Sequence, residues 1–380
     1  MSEDIEGRSS LAWPFLKLGT VAFGGPAAHV AMMEDEFVRR RAWLSREEFL
    51  DLVGAAGLIP GPSSTEVALY IGYRRAGWRG LLVAGACFIL PAALMVGVLA
   101  WAYVRLGSLP QVGQVLHGVK AVLIAVIAQA ALSLGRTAVK GTLLLGLLVI
   151  AVAASLAGAS PLTVLAGAGV LHAATIAGRR SASAGCSAFV LAAGGFSGAG
   201  GVPASASLVK LFLLVLKLGS VVFGSGYVLL SFLRADFVLG TRWLTDAQLL
   251  DAVAVGQVTP GPVFTTATFI GYLVGGLPGA VVATVGIFLP SFILVAASGP
   301  LIPRLRRSAV ASALLDGVNV AAVALIVVVG GRLARVSLVD ADTLLVAGAA
   351  LVALLRFRVS SAWLVVAGAL VGLVAGHGAL

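Results

Sequence analysis

One string near the N-terminus is spelled twice. Leu16-Lys-Leu-Gly-Thr-Val-Ala-Phe-Gly24 returns as Leu216-Lys-Leu-Gly-Ser-Val-Val-Phe-Gly224, an offset of 200 residues. Phe37, Trp43-Leu44, Asp51 and Pro60-Gly-Pro62 map onto Phe237, Trp243-Leu244, Asp251 and Pro260-Gly-Pro262 at the same offset. One residue then drops out: Ile71-Gly-Tyr73, Leu90-Pro91 and Gly118-Val119 pair with Ile270-Gly-Tyr272, Leu289-Pro290 and Gly317-Val318 at offset 199. A chain that repeats over such a span is expected to fold as two copies of one unit. The expected units are residues 1–177 and 208–380, joined by a Gly/Ala/Ser-rich linker, 178–207. The linker's apolar run, Ala188 to Ala193, is too short to span a bilayer.

Each copy carries six apolar segments in the same order. With 59% hydrophobic and 11% charged residues, the chain lacks the polar shell of a soluble domain, so its main solvent is lipid. Runs such as Trp78 to Trp101, Val115 to Leu134 and Leu143 to Ala157, the last lengthened beyond Pro161, suit a hydrocarbon core about 30 Å thick. The short alternating strands of a membrane barrel are absent, which leaves helices to satisfy the backbone. The expected fold is all-α and polytopic.

The net charge of +10 does not point to nucleic acid, because the arginines sit in short clusters between apolar spans. Their distribution bears on topology. If the Pro-Gly-Pro segment enters the membrane and returns, Arg39-Arg40-Arg41 with Arg46, Arg74-Arg75 with Arg79, Arg136 with Lys140, and Arg179-Arg180 all share the cytoplasmic side. Each half then makes an odd number of crossings, and the halves are inverted relative to each other. The acidic N-terminus lacks a signal-peptide plan, and Cys87 and Cys186 build neither a disulfide framework nor a metal site.

Two kinds of helix break carry the chemistry. In Pro60-Gly61-Pro62 and Pro260-Gly261-Pro262 each proline lacks a donor and pushes the residue before it out of the α region. Ser63-Ser64-Thr65 and Thr265-Thr266 follow, so each second half-helix would open with free N–H groups, a positive dipole end and hydroxyl donors, which suits an anion. The competing reading is a structural kink. The other break falls at Gly24-Gly25-Pro26 and Gly224-Ser225-Gly226, with Lys17 and Lys217 six residues before each motif's phenylalanine. Those lysines are anion-site candidates or snorkel to headgroups, and the glycines serve a site or close helix packing. Glu66, one turn into a half-helix, is the candidate carrier of a coupling proton or a helix-capping carboxylate; Asp51 and Asp251 are its rivals. His29 with Glu34 is wrongly spaced for a metal, and no cofactor or catalytic motif is found, so neither metal, cofactor nor enzyme activity is expected.

The string Phe15-Leu-Lys-Leu-Gly19, then Phe23-Gly-Gly-Pro26 with His29, Trp43-Leu44-Ser45 and Pro60-Gly-Pro62, resembles the chromate ion transporter family in its long, two-half form, over the chain from Leu11 onward. The resemblance implies efflux of chromate across a bacterial inner membrane, driven by membrane potential or a proton gradient, with halves of opposite orientation and chromate resistance as the result. It carries the family signature onto Gly24, Gly25, Pro26, His29, Trp43, Pro60, Gly61, Pro62, Gly72 and Tyr73. The second copy departs from it at Gly224-Ser225-Gly226 and at Leu229, so the first half is expected to contribute more to substrate chemistry. Sulfate, a tetrahedral dianion of similar size, is the alternative cargo, and a passive anion channel the alternative mechanism. Fused halves can form a whole site in one chain, and a homodimer is compatible with that.

Overall fold

In the computed structural model, residues 3–23, 25–107, 109–180, 207–223, 226–298, 308–357 and 359–377 are described. They are helical, with no strand among them, so the all-α expectation holds. Most of the expected linker, residues 181–206, lies outside the described residues.

The order of elements repeats. The first half contains α1 (Glu3–Val21), α2 (Gly25–Met33) running into a π-helical turn (Glu34–Arg40), α3 (Arg46–Ala56), α4 (Ser63–Leu106), α5 (Pro110–Ala138), α6 (Thr142–Leu156) and α7 (Pro161–Arg180). The second contains α8 (Leu208–Val221), α9 (Gly226–Leu233) with its π turn (Arg234–Gly240), α10 (Asp246–Val258), a 3-10 turn (Val263–Thr265) into α11 (Thr266–Ser298), α12 (Ala309–Ser337), α13 (Ala341–Val352) and α14 (Ser361–His377). Local devices repeat too. Ser45 and Thr245 each cap the next helix in a capping box, with Glu48 and Gln248.

Three reversals shape each half. Lys17 on α1 reaches Glu36, and the rings of Phe15 and Phe37 lie 4.8 Å apart, so α2 and its π turn fold back alongside α1. Arg74 meets Glu48 at 2.9 Å, so the first arm of α4 returns beside α3 and the Pro-Gly-Pro turn is the tip of a hairpin. The long helix α4 then reverses at Ala76-Gly77, and α11 at Gly275-Gly276, where Gly77 and Gly276 take φ of 58° and 61°. Ahead of the long apolar helices, each half thus carries two hairpins in succession, α1 with α2 and α3 with the first arm of α4.

The second arm of α4, α5, the second arm of α11 and α12 belong to the helices long and apolar enough to cross a membrane. The run expected to extend from Leu143 past Pro161 is two helices instead. A turn at Gly158, with φ 94°, divides the 15-residue α6 from α7. The equivalent helices α5 and α12 pack antiparallel. His117 near the start of α5 pairs with Asp340 after the end of α12 at 3.1 Å, and Lys140 after the end of α5 pairs with Asp316 near the start of α12 at 3.4 Å.

The two arms of α4 touch through glycine: a methyl added at Gly80 would strike the carbonyl of Gly72, and Gly279 meets Gly271 in the same way. Gly97, on the same arm as Gly80, faces open space. Gly80→Ala is expected to destabilise the protein by about 1–3 kcal/mol, seen as a lower unfolding midpoint in detergent. Gly97→Ala should leave the midpoint unchanged or raise it, through the better helix propensity of alanine.

Candidate functional site

Four hairpin tips converge where the halves meet. At each Pro-Gly-Pro turn the prolines stop the helix, and glycine permits the left-handed φ of 138° at Gly61 and 92° at Gly261. The freed N–H of Gly61 donates to the carbonyl of Val222 at 2.8 Å, at the α8 break. The N–H of Gly261 donates to Ala22, at the α1 break, at 2.9 Å. Each tip thus satisfies a backbone group left over by a break in the other half.

Around these crossed bonds the first half is polar. Both Thr65 and Glu66 N–H groups return to the Pro62 carbonyl as α4 begins. His29 is buried, with Nε2 3.0 Å from the Ala22 carbonyl and Nδ1 3.2 Å from the Ser64 hydroxyl. A carbonyl only accepts, so Nε2 carries the proton, and in the neutral ring Nδ1 accepts from Ser64. Glu66 is fully buried; one oxygen accepts a long bond from Ser291 of α11 at 3.5 Å, and Oε2 has no hydrogen-bond partner. One turn further on, the Tyr70 hydroxyl meets Ser298 at 2.5 Å.

The equivalent turn of the second half is closed. Val263 and Phe264 replace the serines, and the hydroxyls of Thr265 and Thr266 donate back to Pro262 and Val263 at 2.8 Å each. Of the expected site residues, the structure brings together His29, Pro60, Gly61, Pro62, Ser64, Thr65 and Glu66 with Pro260, Gly261 and Pro262; Gly25 opens α2 beside them with φ 78°. Gly24, Gly224 and Ser225 lie outside the described residues. Lys17 and Lys217 are placed differently, each half-exposed and engaged with a π-turn carboxylate, Glu36 at 3.5 Å and Asp236 at 2.6 Å. Burial alone would raise the Glu36 carboxyl, but its bonds and charges from Arg41 and Lys17 outweigh that and hold it below the usual carboxylate range.

The rival carboxylates also separate. Asp51 is exposed on α3, whereas Asp251 is buried between Lys120 of α5 and the Tyr103 hydroxyl of α4. Sequence reasoning passed over Lys120, Tyr103, Ser291 and Ser298. For Lys120 the signal was present, since it interrupts the apolar run Val115 to Leu134 much as Lys17 interrupts its own; nothing local marks the other three. A cavity of ≈ 180 Å³ also lies between the halves, lined by Thr137, Lys140, Phe223, Asp316 and Asn319 among others. No group of three His, Cys, Asp or Glu that could hold a metal occurs among the described residues.

Long apolar helices and broken, protein-buried hairpins define a multi-pass membrane protein of the transporter type. The model of the chromate transporter family matches residues 9–173 and again 209–373, and the chain belongs to that family. It is 37% identical to the chromate transport protein of Cupriavidus metallidurans, over 95% of this chain and 91% of that one. It is 35% identical to a probable chromate transport protein of Synechococcus elongatus, over 75% and 74% of the two chains. Similarity to the chromate transport protein of Pseudomonas aeruginosa is 34%, over 73% and 69%. No solved structure matches the chain.

His29→Ala removes the two bonds that tie the α1 break to the start of α4. It is expected to destabilise the protein by about 2–3 kcal/mol, measured by thermal unfolding in detergent, with His29→Asn retaining part of the loss.

Proposed function

We propose that this chain exports chromate across the cytoplasmic membrane by alternating access, with the oxyanion held where the hairpin tips meet. The observation that carries the reading is membership, over both halves, in a family whose relatives are named chromate transport proteins. The tips supply a place for the anion. The first turn of α4 presents a positive helix end and the buried Thr65 hydroxyl, which has no hydrogen-bond partner, within protein rather than lipid.

The halves are read as inverted repeats about an axis in the membrane plane. The antiparallel packing of the equivalent helices α5 and α12 supports this, as do the reciprocal bonds from Gly61 and Gly261. Rocking one half against the other then exposes the shared tips to each side in turn.

Glu66 is the proposed coupling carboxylate. It sits beside the helix start that would hold the anion, without an ion-pair partner, so its negative charge competes with the cargo for the same dipole. A proton on Glu66 removes the competitor, which links proton and anion occupancy.

Everted membrane vesicles test the reading. Wild type is expected to accumulate chromate when respiration energises them, and Glu66→Gln to keep chromate exchange while losing the response to an imposed pH step. Sulfate accumulating in place of chromate would move the cargo assignment to sulfate. Flux that no imposed potential or pH step drives uphill would make the protein a channel.

A further inference from the structure

Away from the hairpin tips, another contact between the halves holds charge that the reading above does not use. Lys120 places Nζ 3.0 Å from Oδ1 of Asp251, and the Tyr103 hydroxyl donates to Oδ2 at 3.0 Å. The Asp251 side chain is 4% exposed and that of Lys120 20%. Lys120 lies within Gln111–Ala138, a helix long and apolar enough to cross the membrane. Taking this lysine out of water costs desolvation energy that a single carboxylate offsets poorly, so stability alone is a weak reason for the pair.

The internal repeat provides a control. The position equivalent to Lys120 is Asn319, and the residue equivalent to Asp251 is Asp51, exposed on α3. The same helices are therefore built in the other half without a buried pair of this kind. The remaining candidate lysines, Lys17 and Lys217, are half-exposed and already paired with Glu36 and Asp236.

Two donors, an ammonium and a phenol, face the two oxygens of one carboxylate, and one edge of a tetrahedral oxyanion presents the same pair of acceptors. We propose that Lys120 and Tyr103 bind a tetrahedral dianion of the chromate or sulfate type, and that Asp251 fills the site until the anion displaces it. The inference rests on the oxyanion-transport reading and adds a side-chain site to it. Because Lys120 and Tyr103 belong to the first half and Asp251 to the second, exchange of occupants is tied to the fit between halves.

Binding of chromate, and separately of sulfate, to protein in lipid nanodiscs by isothermal titration tests this. Lys120→Gln is expected to weaken binding at least tenfold, Lys120→Arg to restore most of it, and Asp251→Asn, which removes the competing charge, to tighten it several-fold. The double variant Lys120→Gln/Asp251→Asn leaves no lone buried charge and should fold with a near wild-type unfolding midpoint, yet bind no better than Lys120→Gln. Wild-type affinity in that double variant would overturn the site and make the pair structural. Wild type that binds sulfate but not chromate would overturn the cargo assignment and leave this site standing, provided Lys120→Gln loses sulfate. Wild type that binds neither would overturn both.

Discussion

A helix broken inside an apolar solvent must find protein partners for the backbone groups it frees, and that requirement organises this molecule. The breaks at residues 22–25 and 60–62, and their repeats, leave N–H and carbonyl groups that lipid cannot satisfy. The Gly61 and Gly261 bonds to Val222 and Ala22 resolve the problem by crossing between halves, so neither half is complete without the other. Close approach at Gly19 and Gly219, where added methyls would press on the backbone of α4 and α11, lets the hairpins sit near enough to make those bonds.

On this near-symmetric frame the polar groups are distributed unequally. The first half places Ser64, His29 and a fully buried Glu66 at its tip, whereas the second places Phe264 there and turns its threonine hydroxyls inward. The burial of α10 and the exposure of α3 follow the same division: Leu250 is fully covered and Leu50 is 53% exposed. The architecture repeats, and the chemistry set on it does not.

Much of the frame was legible in the sequence because its devices are local. Proline's missing donor marks the Pro-Gly-Pro tips, and the distribution of arginines carried the return of α4 beside α3, which Arg74 and Glu48 make visible. The turn at Gly158 was hidden because an apolar run gives no period by which to separate one lengthened helix from two short ones. The hairpin of α1 and α2 was hidden for a different reason: a break permits reversal without dictating it, and the contacts that set it, Phe15 on Phe37 and Lys17 on Glu36, join residues far apart in the chain. Lys120 likewise gains its meaning from Asp251, which no pattern along α5 reveals.

The ion pairs between α5 and α12 carry a further consequence. Every basic partner there, His117 and Lys140, belongs to the first half, and both acidic partners, Asp316 and Asp340, belong to the second. Two copies of the first half, joined through the same surface, would set His117 against Lys140; two copies of the second would set aspartate against aspartate. The pairs are exposed and individually weak. Their arrangement nonetheless makes each half a poorer match for itself than for its partner, so self-association of like halves is disfavoured and fusion in one chain supplies the mate that each requires.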